Sequence, residues 1–249
     1  MQNAMALFLA RLILGVSAFG WAFSDDKSKV VAPFFRILML LLLGLGVVFC
    51  LAAPQTGASV LMLIVTMVAF LGSVFWLLER RKLGRAMFLA SMVFSAFWFQ
   101  QEIRSLSPEG GALRFLLAAS QVASTGTLGT ALCGMLLGHR YLTAPGMPLQ
   151  PLQGANTYLG VAGLLRLIVS VAVLVFGAAA LSGTTHLVWF ALRWLAGIGG
   201  PIVCWWLVRR ILVYRNTQSA TGVLFVAVIL TFIGELTGDI LFRETGYPF

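Results

Sequence analysis

Glu235 and Asp239 stand four residues apart inside an apolar run, and Thr231 and Arg243 continue the same spacing on either side. Helical residues four apart share a face, so Thr231, Glu235, Asp239 and Arg243 form one polar stripe. Three arginines, Arg11, Arg166 and Arg193, interrupt other apolar runs in a similar way. A charge at mid-bilayer costs about 2.5–3.5 kcal/mol on insertion scales, so such groups are expected to turn inward and pair. A carboxylate held among cations in that setting can take up and release a proton, which is the work of a general base. The same residues can instead be buried ion pairs that only fix helix order.

The elements that must hold these charges follow from composition. Of the 249 residues, 60% are apolar and 10% charged, against about 25% charged in a soluble domain. A membrane-crossing helix needs roughly 20 apolar residues, because the hydrocarbon core is about 30 Å thick. The chain therefore reads as an all-α polytopic integral membrane bundle, one domain over 1–249 with about eight spans. These are expected near 3–23, 34–53, 58–78, 86–100, 115–137, 158–181, 186–208 and 220–242. The first run lacks a basic leader region and contains Arg11, which argues against a cleaved signal peptide.

Between spans, Pro54 to Gly57 mark a tight turn, and His139 to Pro151, with Pro145, Pro148 and Pro151, read as a stiff surface lid. Span five is rich in Gly, Ala, Ser and Thr, which let helix backbones approach in lipid, and Gly234 and Gly238 form a GxxxG pair beside Glu235. Gly197, Gly199, Gly200 and Pro201 interrupt span seven and are expected to kink it.

Charge sets the orientation. Lys27, Lys29, Arg36, Arg80, Arg81, Lys82, Arg85, Arg140, Arg209, Arg210 and Arg215 fall at one end of the spans, and only Arg104, Arg114 and Arg243 at the other. The positive-inside rule then puts both termini on the non-cytoplasmic side, in a membrane such as the bacterial inner membrane. The net charge of +9 is spread over short loops, which fits anionic lipid headgroups and not nucleic acid.

Counted from the outward ends, Arg11, Arg193 and Glu235 each lie about seven or eight residues deep, a shared depth near 10 Å. The expected pocket therefore sets Glu235 and Asp239 against Arg193 and Arg11. Arg166 is expected deeper, towards the cytoplasmic half, with no acidic partner at its level. His139 and His186 are secondary candidates. They are expected at opposite ends of the bundle, which excludes a shared metal or a bis-histidine haem. Cys50, Cys133 and Cys204 lack metal-ligand spacing and read as small hydrophobes. No metal site is expected. Trp98, Trp189, Trp194, Trp205 and Trp206 are read mostly as interfacial anchors near span ends. The echo of Arg11, Leu12, Ile13 in Arg166, Leu167, Ile168 is the one hint of a four-plus-four duplication.

The stretch Gly234, Glu235, Leu236, Thr237, Gly238, Asp239, Ile240, Leu241, Phe242 resembles the last span of the dimethyl sulfoxide reductase membrane anchor and related polysulfide-reductase (NrfD-type) subunits. There, a Gly-Glu-Leu-x-Gly-Arg-x-x-Phe-Tyr pattern ends the protein. Arg193 is similar to an intramembrane arginine near the outer end of that family's seventh span. The resemblance covers about the last 60 residues. It implies a haem-free anchor subunit of a respiratory electron-transfer complex, meeting quinone or quinol and partnered by iron-sulfur or cytochrome subunits. Asp239 stands where the family has Arg and Arg243 where it has Tyr, and the family's His near the end of span two and acidic residue in span three have no counterpart. Two other readings stand beside this one: a non-catalytic scaffold subunit of a membrane complex, and a transporter for a small molecule or ion.

Overall fold

The computed structural model describes residues 2–25, 29–52, 59–106, 111–144, 146–181 and 183–249. The turn at Pro54 to Gly57, residues 26–28 and 107–110, and Pro145 lie outside them. Among the described residues the chain is helical throughout, with no strand. The helices are α1 (Gln2–Phe23), α2 (Ala32–Ala52), α3 (Ser59–Leu77), α4 (Arg81–Leu106), α5 (Gly111–Thr143), α6 (Gln150–Gly177), α7 (Gly183–Leu192), α8 (Gly200–Val213) and α9 (Thr217–Thr245). A π-helical segment, Arg193–Gly199, makes α7 and α8 one continuous rod.

Among the described residues, six segments are long and apolar enough to cross a membrane: α1, α2, α3, α6, the α7–α8 rod and α9. In α4 the polar ends dilute the apolar centre; in α5 the buried face itself carries Ser120, Gln121, Ser124, Thr125 and Thr127. The protein is thus an all-α polytopic membrane bundle whose central helix, α5, carries a polar buried face. α5 packs on α1, α6 and α9.

Neighbour relations divide the helices into two rings. α1, α2, α3 and α4 close one ring, each packing on the next and α4 returning to α1; α5, α6, α8 and α9 close the other in the same way. The α1–α5 seam joins them. That seam depends on two glycines: a Cβ on Gly15 would lie 2.4 Å from the Thr125 carbonyl oxygen, and one on Gly129 2.4 Å from the Gly15 carbonyl carbon. The small residues of α5 therefore do what their composition predicts, which is to let two backbones touch. The echo between Arg11 and Arg166 does not follow the rings, since Arg11 lies on the first helix of one and Arg166 on the second helix of the other.

Two expectations need correction. α5 runs on through Thr143, and α6 starts at Gln150 with Pro151 in its first turn, so the lid shrinks to the connection between them. Proline is tolerated in a first turn because that N–H has no intrahelical partner anyway. Trp98 is 5% exposed and meets Phe49 edge-on at 5.0 Å, so it belongs to the core and not to an interfacial belt. The interruption expected before Pro201 takes the form of a π-helical segment, which accommodates the missing proline N–H without ending the helix.

Candidate functional site

The π-helical segment places Arg193 at its first position, facing α9. The approach is close enough that a Cβ on Gly234 would come 1.9 Å from the Gly197 Cα, and one on Gly238 3.1 Å from the Arg193 Nε. The Gly234–Gly238 pair therefore makes room for both a backbone and a guanidinium. α9 itself is set by an Asn216 cap, whose side chain accepts from the Ser219 N–H, and by Gly246, left-handed at φ +76°, which ends the helix.

Glu235 is the hub. Its Oε1 lies 3.0 Å from Arg193 Nη1 and 3.4 Å from Arg166 Nε; its Oε2 lies 3.4 Å from Arg11 Nη1 and accepts a 2.6 Å hydrogen bond from the Ser124 hydroxyl. Asp239, one turn along, pairs with Arg11 Nη2. Ser124 is a relay, accepting from Arg11 Nη1 at 3.0 Å while donating to Glu235. Arg166 Nη1 donates to the Ser120 hydroxyl at 2.5 Å. The oxygen of Phe249 accepts from Arg166 Nη2 at 3.1 Å and from Arg193 Nε at 3.2 Å, and Ser120 donates to the Pro248 carbonyl at 3.0 Å. The residues after Gly246 thus fold back over the cluster. Phe249 packs with Leu116, Val173 and Leu241 in a small satellite core.

None of the five charged residues is more than 6% exposed. Water this scarce strengthens each attraction but makes an unpaired charge costly, so the network holds only because its members meet. The helices supplying them are α1, α5, α6, the α7–α8 rod and α9, and α1 is the one contribution from the other ring.

Of the sequence candidates, the structure brings together Glu235, Asp239, Arg193 and Arg11. It adds Arg166, against expectation. α6 starts eight residues earlier than the proline-rich stretch suggests, so Arg166 lies about 16 Å from the α6 end at Gly177 and about 24 Å from the end at Gln150. That is the level of Glu235 and not the far half. Arg243, the fourth member of the stripe, is exposed and outside the cluster, and Thr231 bonds the Ala227 carbonyl of its own helix. His186 pairs with Glu244 at 3.2 Å at one end of the bundle, and exposed His139 lies near the far end of α5. Neither reaches the cluster. Among the described residues no group of His, Cys, Asp and Glu could hold a metal ion.

Sequence reasoning missed Ser120, Ser124 and the Phe249 oxygen. Ser120 and Ser124 are four apart, the same spacing as the acids they serve, but α5 carries many small polar residues and nothing singles these two out. Compared with family models, with curated proteins and with solved structures, the chain matches none of them.

Proposed function

We propose that this chain is the haem-free membrane anchor subunit of a respiratory electron-transfer complex, crossing the bilayer eight times with both termini outside, and that quinone or quinol meets it at the Glu235 cluster. The observation that carries the reading is the cluster's spare donors: Arg193 Nη2 and Arg11 Nε are buried, yet hydrogen-bond no described residue. A quinone presents carbonyl oxygens that such donors fit, and an apolar body that suits hydrocarbon. On the α5–α6 face lies an apolar groove of about 540 Å³ lined by residues that include Ala123, Gly126 and Ala162 but none of the cluster's charged residues. When bound, quinol supplies two electrons and two protons. Arg193 would orient a carbonyl, Glu235 Oε1 would hold a proton, and the packed helices would keep water away. The electrons would pass to a cofactor of an iron-sulfur or cytochrome partner.

Purification of the chain from its native membrane in mild detergent tests this, with optical spectra for redox partners and solvent extraction for quinone. Quinone retained by the native chain and lost from Glu235→Gln supports the reading; a chain that brings down neither quinone nor redox subunits sinks it.

The scaffold reading has one observation in its favour. Both carboxylate oxygens of Glu235 are engaged by side chains of this same chain. Redox partners without quinone, and turnover unchanged in Glu235→Gln, select it.

A further inference from the structure

At the basic end of the bundle, α6 and α8 part to leave a cleft of about 390 Å³. Gln153, Asn156 and Thr157 line one wall, and Trp205, Arg209, Leu212 and Val213 the other. The α6 residues are spaced three and four apart, so they form one polar face on a helix that otherwise reads as membrane span. Gly160 shapes the inner end: a Cβ there would lie 2.4 Å from the Trp205 ring, so only glycine lets the indole lie flat against α6.

Two features of the cleft are unfinished. Asn156 is 4% exposed, and its amide nitrogen donates to the Trp205 carbonyl at 3.1 Å, but its Oδ1 has no hydrogen-bond donor among the described residues. A buried acceptor left so costs about as much as a lost hydrogen bond, unless something outside the chain donates to it. Arg209, at the opposite wall, is exposed and makes no ion pair among the described residues. Its neighbour Arg210 differs, lying over the Trp206 ring at 5.4 Å. The cleft therefore offers a cation at its mouth and an unanswered acceptor at its base. It adjoins a second polar pocket that shares Gln153, Leu212 and Val213 and carries Arg215.

We propose that this cleft binds the headgroup of an anionic phospholipid bearing free hydroxyls, with the phosphate on Arg209 and a hydroxyl donating to Asn156 Oδ1. An ammonium headgroup could also donate to that oxygen, but Arg209 and Arg215 repel it. Beyond the cleft α8 exposes Trp206, along which an acyl chain can continue. This site is separate from the Glu235 cluster and stands whether or not quinone binds there.

The test is native mass spectrometry of the full chain in mild detergent, titrated separately with phosphatidylglycerol, phosphatidic acid, phosphatidylcholine and soluble glycerol 3-phosphate. One phosphatidylglycerol per chain should bind more tightly than either other lipid. Arg209→Gln should weaken it about tenfold, while Arg210→Gln leaves it unchanged. Asn156→Ala should erase the preference for phosphatidylglycerol over phosphatidic acid. Equal losses in Arg209→Gln and Arg210→Gln would mean unspecific attraction to a basic face and overturn the proposal. So would phosphatidylcholine binding as tightly as phosphatidylglycerol, or glycerol 3-phosphate binding as tightly as the lipid, which would mark a free-anion site. Should Asn156→Ala fail to fold, the two arginine variants and the lipid series still decide.

Discussion

In the α1–α4 ring the deepest side chains are Phe34, Phe35, Phe49, Trp76 and Phe88, whereas the α5–α9 ring closes on Arg166, Arg193, Glu235 and Asp239, with Arg11 reaching in from α1. The first ring is filled by rings: Phe35 stacks on Trp76 at 4.6 Å, and Phe34 and Phe88 meet Phe35 edge-on. Its glycines mostly yield to side chains, Gly20 to Phe88 and Gly84 to Trp76. In the second ring Gly197 and Gly234 bring backbone against backbone, and the space left over is charged. Lipid offers no hydrophobic gain for helix association, so packing and polar contacts decide it. The first ring uses mainly packing. The second adds ion pairs, whose geometry tolerates few alternatives and so fixes the order of five helices.

The comparison can be broken most severely at Glu235. Replacing it with Ala leaves three buried guanidiniums facing one carboxylate, and removing one partner of a buried pair costs about 3–5 kcal/mol. Thermal unfolding in detergent should show that loss, while Phe35→Leu in the first ring, a smaller change of packed volume, should cost under about 1.5 kcal/mol. A reversed ranking would mean that aromatic packing, and not the charges, holds the bundle. Ser124→Ala comes next. It removes a neutral donor from a carboxylate, worth about 1.5–3 kcal/mol, and should destabilise the protein without changing its oligomeric state on size exclusion. The smallest effect belongs to Arg85 and Asp25, paired at 2.7 Å but 36% and 46% exposed. Asp25→Asn should change the midpoint by about 0–1 kcal/mol, less still in high salt, whereas salt should leave the buried cluster's contribution intact.

How far these features were legible depended on how unusual each residue is where it stands. Charges in apolar runs are conspicuous, so Glu235, Arg11 and Arg193 could be placed at one depth by counting from span ends, with Asp239 one turn along the same stripe. Arg166 could not, because its depth hung on where α6 begins, and the prolines there read as loop when one of them opens the helix. Trp98 was misjudged for a related reason: an indole near a span end is usually an anchor, but here Phe49 holds it inside. The all-helical class followed from composition alone. The split into two rings did not, since apolar periodicity says which face is buried but not which helix covers it.

Arg11 and its acids are 224 and 228 residues apart in the chain. At the usual pace of synthesis, about 5–20 residues per second, α1 reaches the bilayer on the order of ten to forty-five seconds before α9 exists. For that interval the guanidinium has no carboxylate, and α1, though long and apolar enough to span the bilayer, carries an unpaired charge. A long arginine side chain can meet that interval by reaching towards the headgroups. α1 can therefore complete its ion pairs only once α9 has been made.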